Sequence, residues 1–153
     1  MDPLKAAVAI VHVASAMLFV VGYVSTGVLT ELARRAAGAD ERRQLLALSG
    51  RFDGWFQIPF GTLVGLSGLA AVVVFGHAWT ELWVIVSILA LGAVTFGGIV
   101  LWRGRSAKVR DALASGDDGQ VRALLSARAA MVQSRIENVL VAVVVILMVL
   151  RPA

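Results

Sequence analysis

The sequence predicts an all-α integral membrane protein: a four-helix bundle with helical extensions on the cytoplasmic side. Three observations carry this reading. Apolar residues make up 59% of the chain and charged residues only 16%, a balance outside the range of soluble domains. Four stretches are long and uncharged enough to cross a hydrocarbon core, which takes about 20 helical residues for about 30 Å. The basic residues avoid those stretches and collect in two of the links between them. The 153 residues are therefore read as a single four-span transmembrane domain.

The spans are placed at about 5–30, 55–76, 82–102 and 131–150. The first has Lys5 in front and a small-residue run at Ala14-Ser15-Ala16, as a secretory leader does, but its apolar run continues well past that point and reads as a span. Between spans one and two, Leu45, Leu46 and Leu48 follow an acidic start at Asp40-Glu41 and predict a helix. Pro59, near the start of span two, is a local bend. Between spans three and four, Val109 and Leu113 share a helical face, and Ser115-Gly116-Asp117-Asp118-Gly119 ends that helix and caps the next. From Asp118 nothing in the sequence interrupts helix to the end of the chain, so the fourth helix is expected to extend into the cytoplasm, carrying Leu124, Leu125 and Ala129.

Of fourteen Lys and Arg, five (Arg34, Arg35, Arg42, Arg43, Arg51) lie between spans one and two and seven (Arg103, Arg105, Lys108, Arg110, Arg122, Arg128, Arg135) between span three and the apolar part of span four. The positive-inside rule puts both long links in the cytoplasm and both termini, with the short link from His77 to Glu81, outside. Trp55 and Trp102 then fall at the inner boundary, Trp79 and Trp83 at the outer one, where indole rings prefer to sit. The basic surplus is a topology signal, with attraction to anionic lipid besides; it is not the basic face of a nucleic-acid-binding domain. The absence of cysteine excludes disulfides, thiolate metal sites and cysteine nucleophiles.

Lipid offers no hydrogen bonds, so polar side chains within spans turn toward protein. In span one His12, Ser15, Phe19, Tyr23, Thr26 and Thr30 lie within about 60° of one line down the helix, at 100° per residue. This stripe is either a packing face or a site in which His12 ligates haem iron or another metal-centred cofactor. In span two Gly61, Gly65 and Gly68, flanked by Thr62 and Ala71, form a groove that admits either a neighbouring helix or a flat macrocycle; Gly92, Gly97 and Gly98 of span three read the same two ways. His77 is an interfacial residue. In span four Arg135 and Asn138 share a face, with Glu137 beside them at the inner boundary: a polar cluster that either latches the helix to its neighbours or forms an inner site for an acidic headgroup, a propionate or a proton path.

The early His12, the basic run after span one, "ALASGDD" at 112–118 and the ending "LMVLRP" at 147–152 together resemble bacterial four-span membrane proteins of domain-of-unknown-function family 2269. The pattern is also similar to haem-carrying membrane protoporphyrinogen oxidases and to copper-resistance D-type proteins. The oxidase likeness rests on His12, the Arg135, Glu137 and Asn138 group and the Arg151-Pro152 ending, and it implies a haem-b pocket with His12 as axial ligand. This chain departs from the oxidases in having no basic residue between Trp83 and Arg103, and in placing the glutamate before the asparagine. For copper, two histidines at different depths, with Met17 and Met148 on separate helices, do not make an obvious site.

Three functions follow as expectations. The first is a bundle of the bacterial inner membrane that binds haem b for electron transfer or sensing, enclosed by Phe19, Tyr23 and the glycines. The second is a cofactor-free bundle that binds lipid, a quinone or another small hydrophobic ligand, or a partner subunit. The third is a small transporter or channel, which with four helices requires a homo-oligomer. No hydrolytic triad, phosphate loop or paired carboxylates stand within the spans.

Overall fold

The structure, a computed structural model, describes residues 2–97 and 103–150. All described elements are helical, in the order α1 (Pro3–Arg35), α2 (Ala39–Phe52), a π-helical turn (Asp53–Gln57), α3 (Ile58–Phe75), α4 (Leu82–Phe96), α5 (Arg103–Ser115), α6 (Asp118–Ser126) and α7 (Arg128–Leu150). The all-α membrane fold read from hydropathy is the fold observed. Among the described residues three helices are long and apolar enough to cross a membrane: α1, the continuous rod Ala39–Phe75, and α7. The shorter α4 is equally apolar. Gly98, Trp102 and the Arg151-Pro152 ending lie outside the described residues.

The chain falls into two compact units divided after Trp79. In the first, α1 packs against α2, the π turn and α3. Asp2 caps α1, its side chain accepting from Leu4 N–H at 2.9 Å, and Pro3 stands where a missing N–H costs nothing. At 33 residues α1 is about 50 Å long, more than one hydrocarbon thickness. Its last turn accordingly carries Glu31, bridged to Arg34 at 2.6 Å and Arg35 at 2.5 Å. The carbonyls that α1 leaves unpaired at Ala33 and Ala36 accept from the Arg42 guanidinium. Arg42 is 0% exposed, so its buried charge is offset by the negative end of the helix it closes.

The second span does not start afresh at Trp55. Ser49 bonds Thr30 of α1 and Phe56 lies against Gly22 while the helix widens by one π turn, and α3 continues from it. Phe52, Phe56 and Phe60 stack in sequence along the rod, with centroids 5.6 and 6.2 Å apart. Gly76, at φ 75°, ends α3, and His77 N–H returns to the Val72 carbonyl at 3.0 Å. That left-handed residue favours glycine because it lacks a Cβ.

In the second unit α4 packs on α7, while α6 packs on α5 and meets α7 at one end. The 115–119 break behaves as its residues require. Gly116 takes φ 77°, and the Asp117 carboxylate accepts from Gln120 N–H at 2.8 Å as the cap of α6. The uninterrupted helix expected from Asp118 onward is corrected: Ala127, at φ −58° and ψ 129°, separates α6 from α7. The cause is a change of partner. Val121 and Leu125 of α6 are buried on the face turned to α5, whereas α7 must lie along α4. One straight helix cannot do both.

Candidate functional site

The polar stripe of α1 meets α3 through two glycines. Gly61 and Gly68 lie seven residues apart on α3, and the positions where their Cβ atoms would stand are 3.1 Å from the Phe19 ring and 3.1 Å from His12 Cε1 respectively. The two rings of α1 therefore sit as knobs on bare backbone, which is how small residues let membrane helices approach closely. Tyr23 continues the stripe, its ring 5.9 Å from that of Phe19. Gly65, between the two seats, is half-buried.

Ser67 organises the histidine. Its hydroxyl lies 3.0 Å from His12 Nδ1 and 2.6 Å from the Leu63 carbonyl. A carbonyl only accepts, so the single hydroxyl proton goes to Leu63 and the oxygen's free lone pair faces the imidazole. The ring nitrogen opposite must then donate. This network assigns the proton to Nδ1 and leaves Nε2 with its lone pair, the arrangement in which a histidine is held by one nitrogen and ligates through the other.

What this set can hold follows from its donors. Among the described residues there is no group of three or more His, Asp or Glu able to hold a metal ion. A bare cation such as copper is poorly served. A haem brings its own ring nitrogens and asks the protein for an axial imidazole, which His12 fits. Phe19 and His12 cover the faces of Gly61 and Gly68, so those two glycines would not themselves seat a flat ring, while His12 is half-exposed at the edge of the seam.

Further down the seam, Gly22 is buried against the π turn. A Cβ there would stand 2.6 Å from Phe56 Cβ and 2.8 Å from Gln57 N, closer than backbone can yield. Thr30 and Ser49 pair at 3.2 Å, and Ser49 reaches the Thr26 carbonyl at 3.4 Å. The Thr26 hydroxyl and Gln57 Oε1, by contrast, are buried without a hydrogen-bond partner.

Of the Arg135, Glu137 and Asn138 group, Arg135 and Asn138 share the exposed side of α7 and Glu137 turns away from Arg135. Residues two apart on a helix point about 200° apart. Glu137 faces α4, accepting from Gln133 Nε2 at 2.9 Å with Oε1 against Gly97, and Gln133 also reaches the Gly97 carbonyl at 3.4 Å. Arg135 and Asn138 are exposed. Gly97 thus belongs to a polar helix contact, while Gly92 has nothing within 4 Å of its missing Cβ. Sequence reading passed over Ser67, Gly22 and Gln133 and read Arg42 only as a topology charge. Only Ser67 carried a usable signal, as a serine one position before Gly68 in an otherwise apolar helix.

Among known proteins, residues 6–152 match the model of a family described as predicted integral membrane protein (DUF2269). No curated protein and no solved structure matches the chain.

Proposed function

The chain belongs to this DUF2269 family of predicted integral membrane proteins, and from that premise we propose that it binds haem b within the membrane, with His12 as axial ligand, for electron transfer or sensing. The observation that carries the reading is the Ser67 hydroxyl, which fixes His12 through Nδ1 and leaves Nε2 to ligate. Haem supplies redox chemistry when bound. This chain's Ser67 orients the imidazole within two apolar helices.

A second reading, favoured by the seating of His12 and Phe19 on Gly68 and Gly61, makes the histidine a packing knob of a cofactor-free bundle. Haem content of protein purified from haem-replete cells, measured as the pyridine haemochrome beside a thermal melt, separates the two. The haem reading expects stoichiometric haem in wild type and none in His12→Ala. Haem-free wild type with a lowered melting temperature in His12→Ala supports the packing reading instead.

The same proposal places α2, α5 and α6, which carry most of the arginines, on the cytoplasmic side of the bacterial inner membrane. Since the chain has no cysteine, single cysteines at positions 40 and 115 report the side directly. Both are expected to resist an impermeant thiol reagent in intact cells, and one at position 79 to react.

A further inference from the structure

We infer that the open face of α7 is a binding site for an anionic phospholipid, with Arg135 and Arg128 taking the phosphate and the aliphatic residues beyond them taking an acyl chain. At 100° per residue Arg128, Val132, Arg135, Val139 and Ile146 fall within about 40° of one line, and all five are exposed. The opposite side of α7 carries Gln133 and Glu137, which are engaged with α4. The helix therefore separates its charges: its only carboxylate faces protein, and both arginines share the outward strip.

Depth makes the arginines informative. The 23 residues of α7 span about 35 Å, close to one hydrocarbon thickness plus its edge. With Arg128 at the boundary, Arg135 lies two turns, about 10 Å, further in. Its guanidinium must either stretch back to the headgroups or meet an anion drawn down to it. Beside it the surface of α7 is open and apolar along Ile136, Val139 and Leu140. A cation at the head of an apolar strip is complementary to a lipid phosphate above its chain, and a guanidinium matches phosphate by two parallel hydrogen bonds. A zwitterionic lipid supplies the chain but sets its own ammonium against the arginines.

The test is native mass spectrometry of full-length protein, delipidated in mild detergent and then titrated with phosphatidylglycerol or phosphatidylcholine. Wild type is expected to retain phosphatidylglycerol at least tenfold more strongly than phosphatidylcholine. Arg128→Gln/Arg135→Gln abolishes that preference and Arg135→Lys keeps part of it. Lys108→Gln/Arg110→Gln on α5, which removes the same two charges elsewhere, leaves it unchanged. Equal retention of the two lipids by wild type overturns the inference whether or not the variants fold. So does an undiminished preference in the Arg128→Gln/Arg135→Gln variant, or a loss as large in Lys108→Gln/Arg110→Gln.

Discussion

Ser67 holds His12 by one nitrogen only. With its own proton committed to the Leu63 carbonyl at 2.6 Å, the hydroxyl 3.0 Å from Nδ1 receives a hydrogen bond and gives none to the ring. Nε2 is left as the one basic nitrogen of the seam.

If that bond orients a ligand, Ser67→Ala weakens haem binding without removing the ligand. Loss of such a supporting contact lowers affinity by about 10–100-fold, whereas its cost to the fold is about 1 kcal/mol or less. Haem titration of the apoprotein, followed by a melt of each form, reads the two quantities separately. Equal haem affinity in Ser67→Ala contradicts the orienting role.

Gly22 and Gly27 lie on the same helix and differ sharply. An alanine Cβ at 22 meets Phe56 Cβ at 2.6 Å and Gln57 N at 2.8 Å, while position 27 has nothing within 4 Å. Gly22→Ala is expected to destabilise by about 1–3 kcal/mol through overpacking. Gly27→Ala should be neutral or gain up to about 1 kcal/mol from helix propensity. Thermal unfolding in detergent gives both.

Arg42 and Arg43 are adjacent arginines with opposite fates. Arg42 is buried and donates to the Ala33 and Ala36 carbonyls, so Arg42→Ala leaves the end of α1 unpaired and costs about 2–3 kcal/mol. Arg43 is exposed, and Arg43→Ala should stay within about 0.5 kcal/mol. A melt in which the two lose equally refutes the capping role.

Thr26 and Thr30 make a further pair. The buried Thr26 hydroxyl has no partner, whereas that of Thr30 meets Ser49 at 3.2 Å. Removing an unsatisfied buried hydroxyl while keeping its shape relieves a desolvation cost. Thr26→Val is thus expected to hold or raise the melting temperature, and Thr30→Val to lower it by the equivalent of about 1 kcal/mol.

These contrasts show which parts of the molecule the sequence makes legible. His12, Phe19 and Tyr23 announce one face of α1 because lipid cannot satisfy a polar group, so polarity at helical spacing marks protein contact. Gly61 and Gly68 are visible as a groove for the same reason. What fills the groove is not: a bare glycine face looks alike whether an imidazole, a phenyl ring or a macrocycle covers it, and the structure seats His12 and Phe19 there. Gly22 is a lone small residue whose importance arises only where the π turn comes close. Arg42 resembles its neighbour until the chain reverses and brings it under the end of α1. The bend at Ala127 has no glycine or proline to signal it, since it follows from α6 and α7 choosing different partners. Arg135 and Glu137 look like one cluster in a line of text and lie on opposite sides of a helix.

The visible absorption spectrum of the wild-type protein, purified from haem-replete cells and set beside that of His12→Ala, tests most directly whether Nε2 is an iron ligand. The account predicts a Soret band in wild type that sharpens on reduction and is missing from a His12→Ala protein that still elutes as a folded species. A wild-type protein without colour under those conditions, or a band of full strength in His12→Ala, contradicts it.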